Sequence, residues 1–124
     1  MTDKKRILIV DDEAGIGMMM KFNLETTHQY EVCTETDPLK AIETALEFKP
    51  NLIFLDLVMP GVEGSEVARK IENHPSLKNA AIVFLSGMLT EQEASISSSA
   101  GHRLYLVKPI DFDNLMECAQ KYAA

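Results

Sequence analysis

A doubly wound α/β fold, with five parallel strands in the order 2-1-3-4-5, is what this 124-residue sequence predicts, on three observations. Short apolar runs (Ile7-Leu8-Ile9-Val10, Leu52-Ile53-Phe54-Leu55, Ala80 to Leu85 and Leu104-Tyr105-Leu106-Val107) look like strands buried on both faces. These runs alternate with helical patterns from one end to the other, which favours a parallel sheet covered by helices on both sides. Three of the runs end in charge, at Asp11-Asp12-Glu13, at Asp56 and at Lys108. The carboxyl ends of the strands are where open α/β sheets bind their ligands.

After the first strand, Ile16, Met19, Met20 and Leu24 share a helical face, and Gly15 and Gly17 weaken its first turn by roughly 1 kcal/mol each relative to alanine. Tyr30-Glu31-Val32-Cys33-Thr34 alternates like a half-exposed edge strand. Asp37-Pro38 supplies an N-cap and a first-turn proline for a helix whose stripe is Leu39, Ile42 and Leu46, and Lys49-Pro50 stops it. The Asp56 strand lies between Pro50-Asn51 and Pro60-Gly61 and is followed by a helix over 65–73 with Val67 and Ile71 one turn apart. The fourth strand ends at Ser86-Gly87. Thr90 and Glu93 then form a capping box for a serine-rich helix with Ile96 as its single large apolar residue, which predicts a marginal, mobile element. The fifth strand leads through Lys108-Pro109 to an Asp111-capped helix with Phe112, Leu115, Ala119 and Tyr122 on its inner face. Two right-handed crossovers on each side of a switch point complete a flavodoxin-like sheet, and residues 1–124 are expected to form one domain.

Hydrophobic residues make up 46% of the chain and charged residues 25%, ordinary values for a globular domain with a single core. The formal net charge of -7 argues against direct nucleic-acid binding, which needs clustered lysine and arginine. No apolar run approaches a membrane span, and the start of the chain does not resemble a signal peptide. Cys33 and Cys118 have no Cys-x-x-Cys spacing and read as buried or semi-buried thiols in a reducing, cytoplasmic compartment. His28, His74 and His102 lack metal-ligand spacing and sit beside turn-like residues.

The chemistry therefore concentrates at the charged strand ends. An isolated aspartate after a strand more often turns the chain than reacts. Here carboxylates gather at one end of the sheet, where they repel one another unless something positive stands among them. A hard divalent cation with oxygen ligands is the natural answer, and Lys108 supplies a second positive charge.

These residues resemble the receiver domain of two-component response regulators, of the single-domain chemotaxis type, over essentially the full length. The match consists of Asp11-Asp12 after strand one, Asp56 to Gly64 as Asp-Leu-x-Met-Pro-x-x-x-Gly, Ser86-Gly87 after strand four and Lys108-Pro109 after strand five. The resemblance implies that Asp56 accepts a phosphoryl group from a histidine kinase or phosphotransfer protein. It implies Mg²⁺ held by Asp12, Asp56 and the main-chain carbonyl of Val58, with Asp11 acting through water. Lys108 would pair with the phosphoryl oxygens, across a Lys108-Pro109 bond expected to be cis. Ser86 and Tyr105 would form the switch, acting on a surface of helix four, strand five and helix five that meets an output protein or domain. The chain would be a monomer or a phosphorylation-dependent dimer, and no enzyme beyond its own phosphotransfer and dephosphorylation. Val58 and Met88 depart from the polar residues that speed loss of the phosphoryl group in the family, so a long-lived phosphorylated state is expected.

Other classes fit less well. A haloacid-type phosphatase needs a second acid two residues after the nucleophile, where Val58 stands. A dinucleotide module is mimicked by Gly15-Ile16-Gly17, but position 20 is methionine and the preceding aspartates would repel phosphate. A receiver-like docking module that works without phosphorylation would have no physical need for Asp11, Asp12, Asp56, Ser86 and Lys108 together.

Overall fold

The computed structural model describes residues 4–87 and 104–123. Strands β1 (Lys5–Val10), β2 (Tyr30–Glu35), β3 (Leu52–Asp56), β6 (Ala81–Ser86) and β7 (Leu104–Val107) form one sheet in the order β2-β1-β3-β6-β7, and the short strands β4 (Val58–Met59) and β5 (Val62–Glu63) pair separately with each other. All four pairings are parallel, as the sequence predicts for order 2-1-3-4-5. Helices α1 (Ala14–Glu25), α2 (Ala41–Phe48) and α3 (Gly64–Asn73) and a C-terminal helix (Phe112–Tyr122) cover it. The expected serine-rich fourth helix, with Met88 and His102, lies outside the described residues.

Side chains alternate along each strand and so build two cores. Ile7, Ile9, Leu52, Phe54, Val83 and Leu85 pack with Met20 and Leu24 of α1 and with Leu115, Cys118 and Ala119 of the C-terminal helix. Leu8, Val10, Ile53, Leu55 and Phe84 pack on the other face with Ala41 and Ala45 of α2 and Val67, Ala68 and Ile71 of α3. The outer edge of β2 is partly blocked: the Val32 N–H donates to Glu25 Oε2 at 3.2 Å, and Lys21 Nζ donates to the Val32 carbonyl at 3.0 Å. Side chains of α1 thus occupy groups that another strand could otherwise pair with.

Three predicted helix faces are corrected. In α1 the core stripe is Gly17, Met20 and Leu24, and Met19 is exposed. The three- and four-residue steps from Gly17 leave Met19 on the opposite side. Leu39 is 82% exposed because Asp37 caps a short 3₁₀ turn (Pro38–Lys40). Its tighter winding puts Leu39 out of phase with α2, whose core contacts are Ala41 and Ala45. Phe112 is exposed at the margin of a stripe centred on Leu115, Cys118 and Ala119.

Lys49 ends α2 in the left-handed conformation (φ 56°), and Asp111 caps the C-terminal helix by accepting from the Asn114 N–H at 3.2 Å. The two cysteines are free, with Cys118 buried. Burial, with help from the Glu117 charge and against that of Lys121, pushes its thiol up to about 11. No helix among the described residues is long and apolar enough to cross a membrane.

Candidate functional site

Strand register places the acids. Val10 pairs with Leu55 across β1 and β3, so the next residue on each strand, Asp11 and Asp56, emerges at the same level of the sheet. The Asp11 N–H donates to the Glu35 carbonyl at 3.1 Å, which fixes the end of β1 against β2. Asp11 and Asp56 are buried, while Asp12 is exposed at the rim. Each of the three offers a carboxylate oxygen, and these oxygens lie within 4.8 Å of one another.

Lys108 reaches this group from β7. Ser86 pairs with Val107, and the Lys108 N–H donates to the Ser86 carbonyl at 2.7 Å, tying the ends of β6 and β7 together. The Lys108–Pro109 peptide bond is cis. The Lys108 side chain is only 13% exposed, and its Nζ lies 2.9 Å from Asp11 Oδ2, 3.4 Å from Glu13 Oε1 and 3.6 Å from Asp56 Oδ2. The ammonium thus stands closest to Asp11. Ser86 is buried at the end of β6, one residue beyond the Leu85 that pairs with Asp56. Tyr105 pairs with Phe84 on the outermost strand and is partly exposed. The sheet therefore brings Asp11, Asp12, Asp56, Ser86 and Lys108 to one end, with Tyr105 two residues back from the tip of β7.

Electrostatics mark Asp56 as the strained member. Burial, first, and then the Asp11 charge push its carboxyl up to about 7, helped by a hydrogen bond with Asp12; Lys108 and the Val58 N–H oppose the rise. Burial alone would pull the Lys108 ammonium down, but the Asp11 hydrogen bond and the charges of Asp56, Asp11 and Glu13 carry it above its ordinary value. Three hard oxygen donors that cannot all ionise comfortably are a donor set that suits Mg²⁺.

Two features of the site are not foreseen from the sequence, the first of them in the loop after β3. Val58–Met59 and Val62–Glu63 form a small antiparallel hairpin, β4 and β5, around Pro60-Gly61, and Gly61 has the positive φ (74°) that such a turn takes most easily from glycine. The Val58 N–H points back at Asp56 Oδ1 across 3.4 Å, and the Gly64 N–H donates to the Leu57 carbonyl at 2.8 Å. The second feature is the contact of Glu13 with Lys108. Its only signal in the sequence is that Glu13 completes a run of three acids.

The model of the response regulator receiver domain family matches residues 7–120. Among curated proteins, the chain is 34% identical over 109 residues to the alkaline phosphatase synthesis transcriptional regulatory protein PhoP of Bacillus subtilis, covering 85% of this chain and 42% of PhoP. It is 32% identical over 106 residues to the response regulator PleD of Caulobacter vibrioides, covering 86% of this chain and 23% of PleD. The chain thus spans less than half the length of either relative. Among solved structures, the chemotaxis protein CheY4 of Vibrio cholerae superposes with a TM-score of 0.86 at 25% identity, over 97% of this chain and 99% of that one. A CheY-like receiver domain protein of Methanospirillum hungatei does so with a TM-score of 0.86 at 26% identity, over 98% and 94%. With this match across nearly its whole length and an acidic cluster at the carboxyl ends of adjacent strands, the chain belongs to the response regulator receiver domain family.

Proposed function

We propose that the chain is a phosphorelay switch in which Asp56 accepts a phosphoryl group from a histidine kinase or phosphotransfer protein. The observation that carries this reading is the meeting of Asp11, Asp12 and Asp56 at one end of the sheet, with the Lys108 ammonium against Asp11 and Asp56. In the transfer, an Asp56 carboxylate oxygen attacks phosphorus, the phosphorus–nitrogen bond of the donor phosphohistidine breaks, and its electron pair leaves with the imidazole. Asp12, Asp56 and the Val58 carbonyl would hold Mg²⁺, with Asp11 acting through water; the ion supplies charge neutralisation for the phosphoryl oxygens when bound. Lys108 gives a fixed positive charge for the same oxygens, already held in place by Asp11 and by the main-chain bond to Ser86.

The buried Ser86 hydroxyl and Tyr105 would carry the phosphorylated state to a surface that includes β7 and the C-terminal helix, where an output protein or domain docks. That surface leaves open a monomer or a phosphorylation-dependent dimer. Residues 1–124 then serve as one receiver domain that catalyses only its own phosphotransfer and dephosphorylation. The two free cysteines fit a reducing, cytoplasmic setting.

Beryllofluoride, which mimics a phosphoryl group on a carboxylate, tests the reading. The protein should bind it saturably and only with Mg²⁺, and Lys108→Ala should slow phosphorylation by acetyl phosphate by about 10²–10³, the usual cost of losing one charge-stabilising donor. Binding without Mg²⁺, or an unchanged rate in the variant, would contradict it, and no binding at all would favour a docking module that works without phosphorylation.

The lifetime of the phosphorylated state is a separate expectation. Val58 is 65% exposed, so its side chain is not needed for the core, and valine cannot orient an attacking water by hydrogen bonding. Val58→Asn should leave the fold intact and speed loss of the phosphoryl group several-fold, measured by following the phosphorylated mass after donor removal; an unchanged rate would show that this position does not govern water access.

A further inference from the structure

Lys108 is shared among three acids, and the sharing is unequal. Asp11 and Glu13 are the nearer two, at 2.9 and 3.4 Å, and both belong to the segment that follows β1; Asp56 stands at 3.6 Å, and of the three only the Asp11 contact has ordinary hydrogen-bond length. Asp11 is fully enclosed, whereas the Glu13 side chain is 62% exposed. Glu13 is not loosely placed, however. Its N–H donates to Asp11 Oδ1 at 2.9 Å, and its carbonyl accepts the first bonds of α1 from the N–H groups of Ile16 and Gly17 at 3.1 and 3.4 Å. Glu13 also lines a groove of about 380 Å³, together with Ile16, Met19, Lys108, Pro109 and Ile110.

We propose that Glu13 is a positioning residue that holds the Lys108 ammonium toward β1 in the resting site and must release it when a phosphoryl group occupies Asp56. The proposal rests on the phosphoacceptor reading. A phosphoryl group brings about two negative charges to the Asp56 side and draws the ammonium toward it, away from the segment that follows β1. Of its two nearer partners, Asp11 is buried and cannot turn to water, while Glu13 can be rehydrated at little cost. The Glu13 contact is therefore the one that gives, and it sets part of the cost of loading the site.

Three proteins test this: wild type, Glu13→Gln and Glu13→Asp. The aspartate variant keeps the charge but is one carbon–carbon bond, about 1.5 Å, shorter from the same pinned backbone. Aspartate also caps α1 better than glutamate, but that gain is common to the free and loaded forms. In the unliganded, metal-free protein, the ¹⁵N resonance of the Lys108 ammonium should be sharper and slower to exchange in wild type than in either variant. With Mg²⁺, both variants should bind beryllofluoride more tightly, by about 1.5- to 5-fold, the range expected of one exposed ion pair. At saturation the ammonium resonances of all three should coincide. Tighter binding by Glu13→Gln alone would assign the effect to net charge and overturn the proposal, as would wild-type affinity in both variants. Failure of wild type to bind beryllofluoride, with the ammonium difference intact, would instead remove the phosphoacceptor reading and with it the release step.

Discussion

The metal-free protein should lose stability as the pH rises from about 4 to about 7, and Asp56→Asn should abolish that loss. The Asp56 carboxyl is raised to about 7 from an ordinary value of 3.8, chiefly by burial and by Asp11. A group that holds its proton more tightly when folded contributes its full stability below the unfolded pKa and loses it as the pH climbs through the folded one. The window is therefore about 4 to 7, and above it the folded site carries the full cost of its ionised acids. At 1.36 kcal/mol per pKa unit, a rise of about three units sets an upper bound of about 4 kcal/mol on the difference between variant and wild type at pH 8. Lys108 does not blur this window, because its pKa is raised from 10.5 and its contribution is lost only at higher pH. Urea unfolding in a chelator, wild type against Asp56→Asn at pH 4, 6 and 8, measures the effect. The two curves should converge at pH 4 and separate at pH 8 with the variant more stable. Mg²⁺ should close the gap at pH 8 by stabilising wild type far more than the variant. A difference that stays constant with pH would contradict the electrostatic account of the site.

Gly64→Ala should be among the most damaging single substitutions in the chain. A methyl group at this position would run into the main-chain oxygen of Asp56 and lie 2.8 Å from Leu57 Cα and 3.1 Å from the Asp56 carbonyl carbon. These are backbone atoms at the end of a fully buried central strand and cannot swing aside as a side-chain tip does. Moving α3 away instead would break the 2.8 Å bond from the Gly64 N–H to the Leu57 carbonyl. Overpacking of this kind costs about 1–3 kcal/mol, and the threatened hydrogen bond adds about 1. A fall of roughly 10 °C in melting temperature is expected for a domain of this size. Because the collision is with the main chain of Asp56 itself, the surviving folded protein should also bind Mg²⁺ more weakly. A melting temperature within about 2 °C of wild type would show that the loop yields without cost.

The strands and the charged sheet end were legible in the sequence because both follow from local rules. Four apolar runs have room only in a sheet buried on both faces, and Asp11, Asp56 and Lys108 each stand immediately after such a run. Parallel register then does the rest: once Val10 pairs with Leu55, Asp11 and Asp56 cannot avoid each other. What stayed hidden depends on phase and on reach. Met19, Leu39 and Phe112 are apolar and spaced to fit a helical stripe, yet the closing geometry turns each outward. The hairpin at 58–63 is too short to leave an alternating pattern, although Pro60-Gly61 announces its turn. Long side chains are the least legible: nothing in the spacing tells that the Lys108 ammonium lies nearer Asp11 than Asp56, or that Glu13 reaches it from 95 residues away in sequence.

The central claim is that Asp56 is a phosphoacceptor, and intact mass after incubation with Mg²⁺ and acetyl phosphate tests it most directly. The account predicts the gain of one phosphoryl group by wild type, none without Mg²⁺ and none in Asp56→Asn. An unmodified wild type at every Mg²⁺ concentration, or a phosphoryl group that persists in Asp56→Asn, would contradict it.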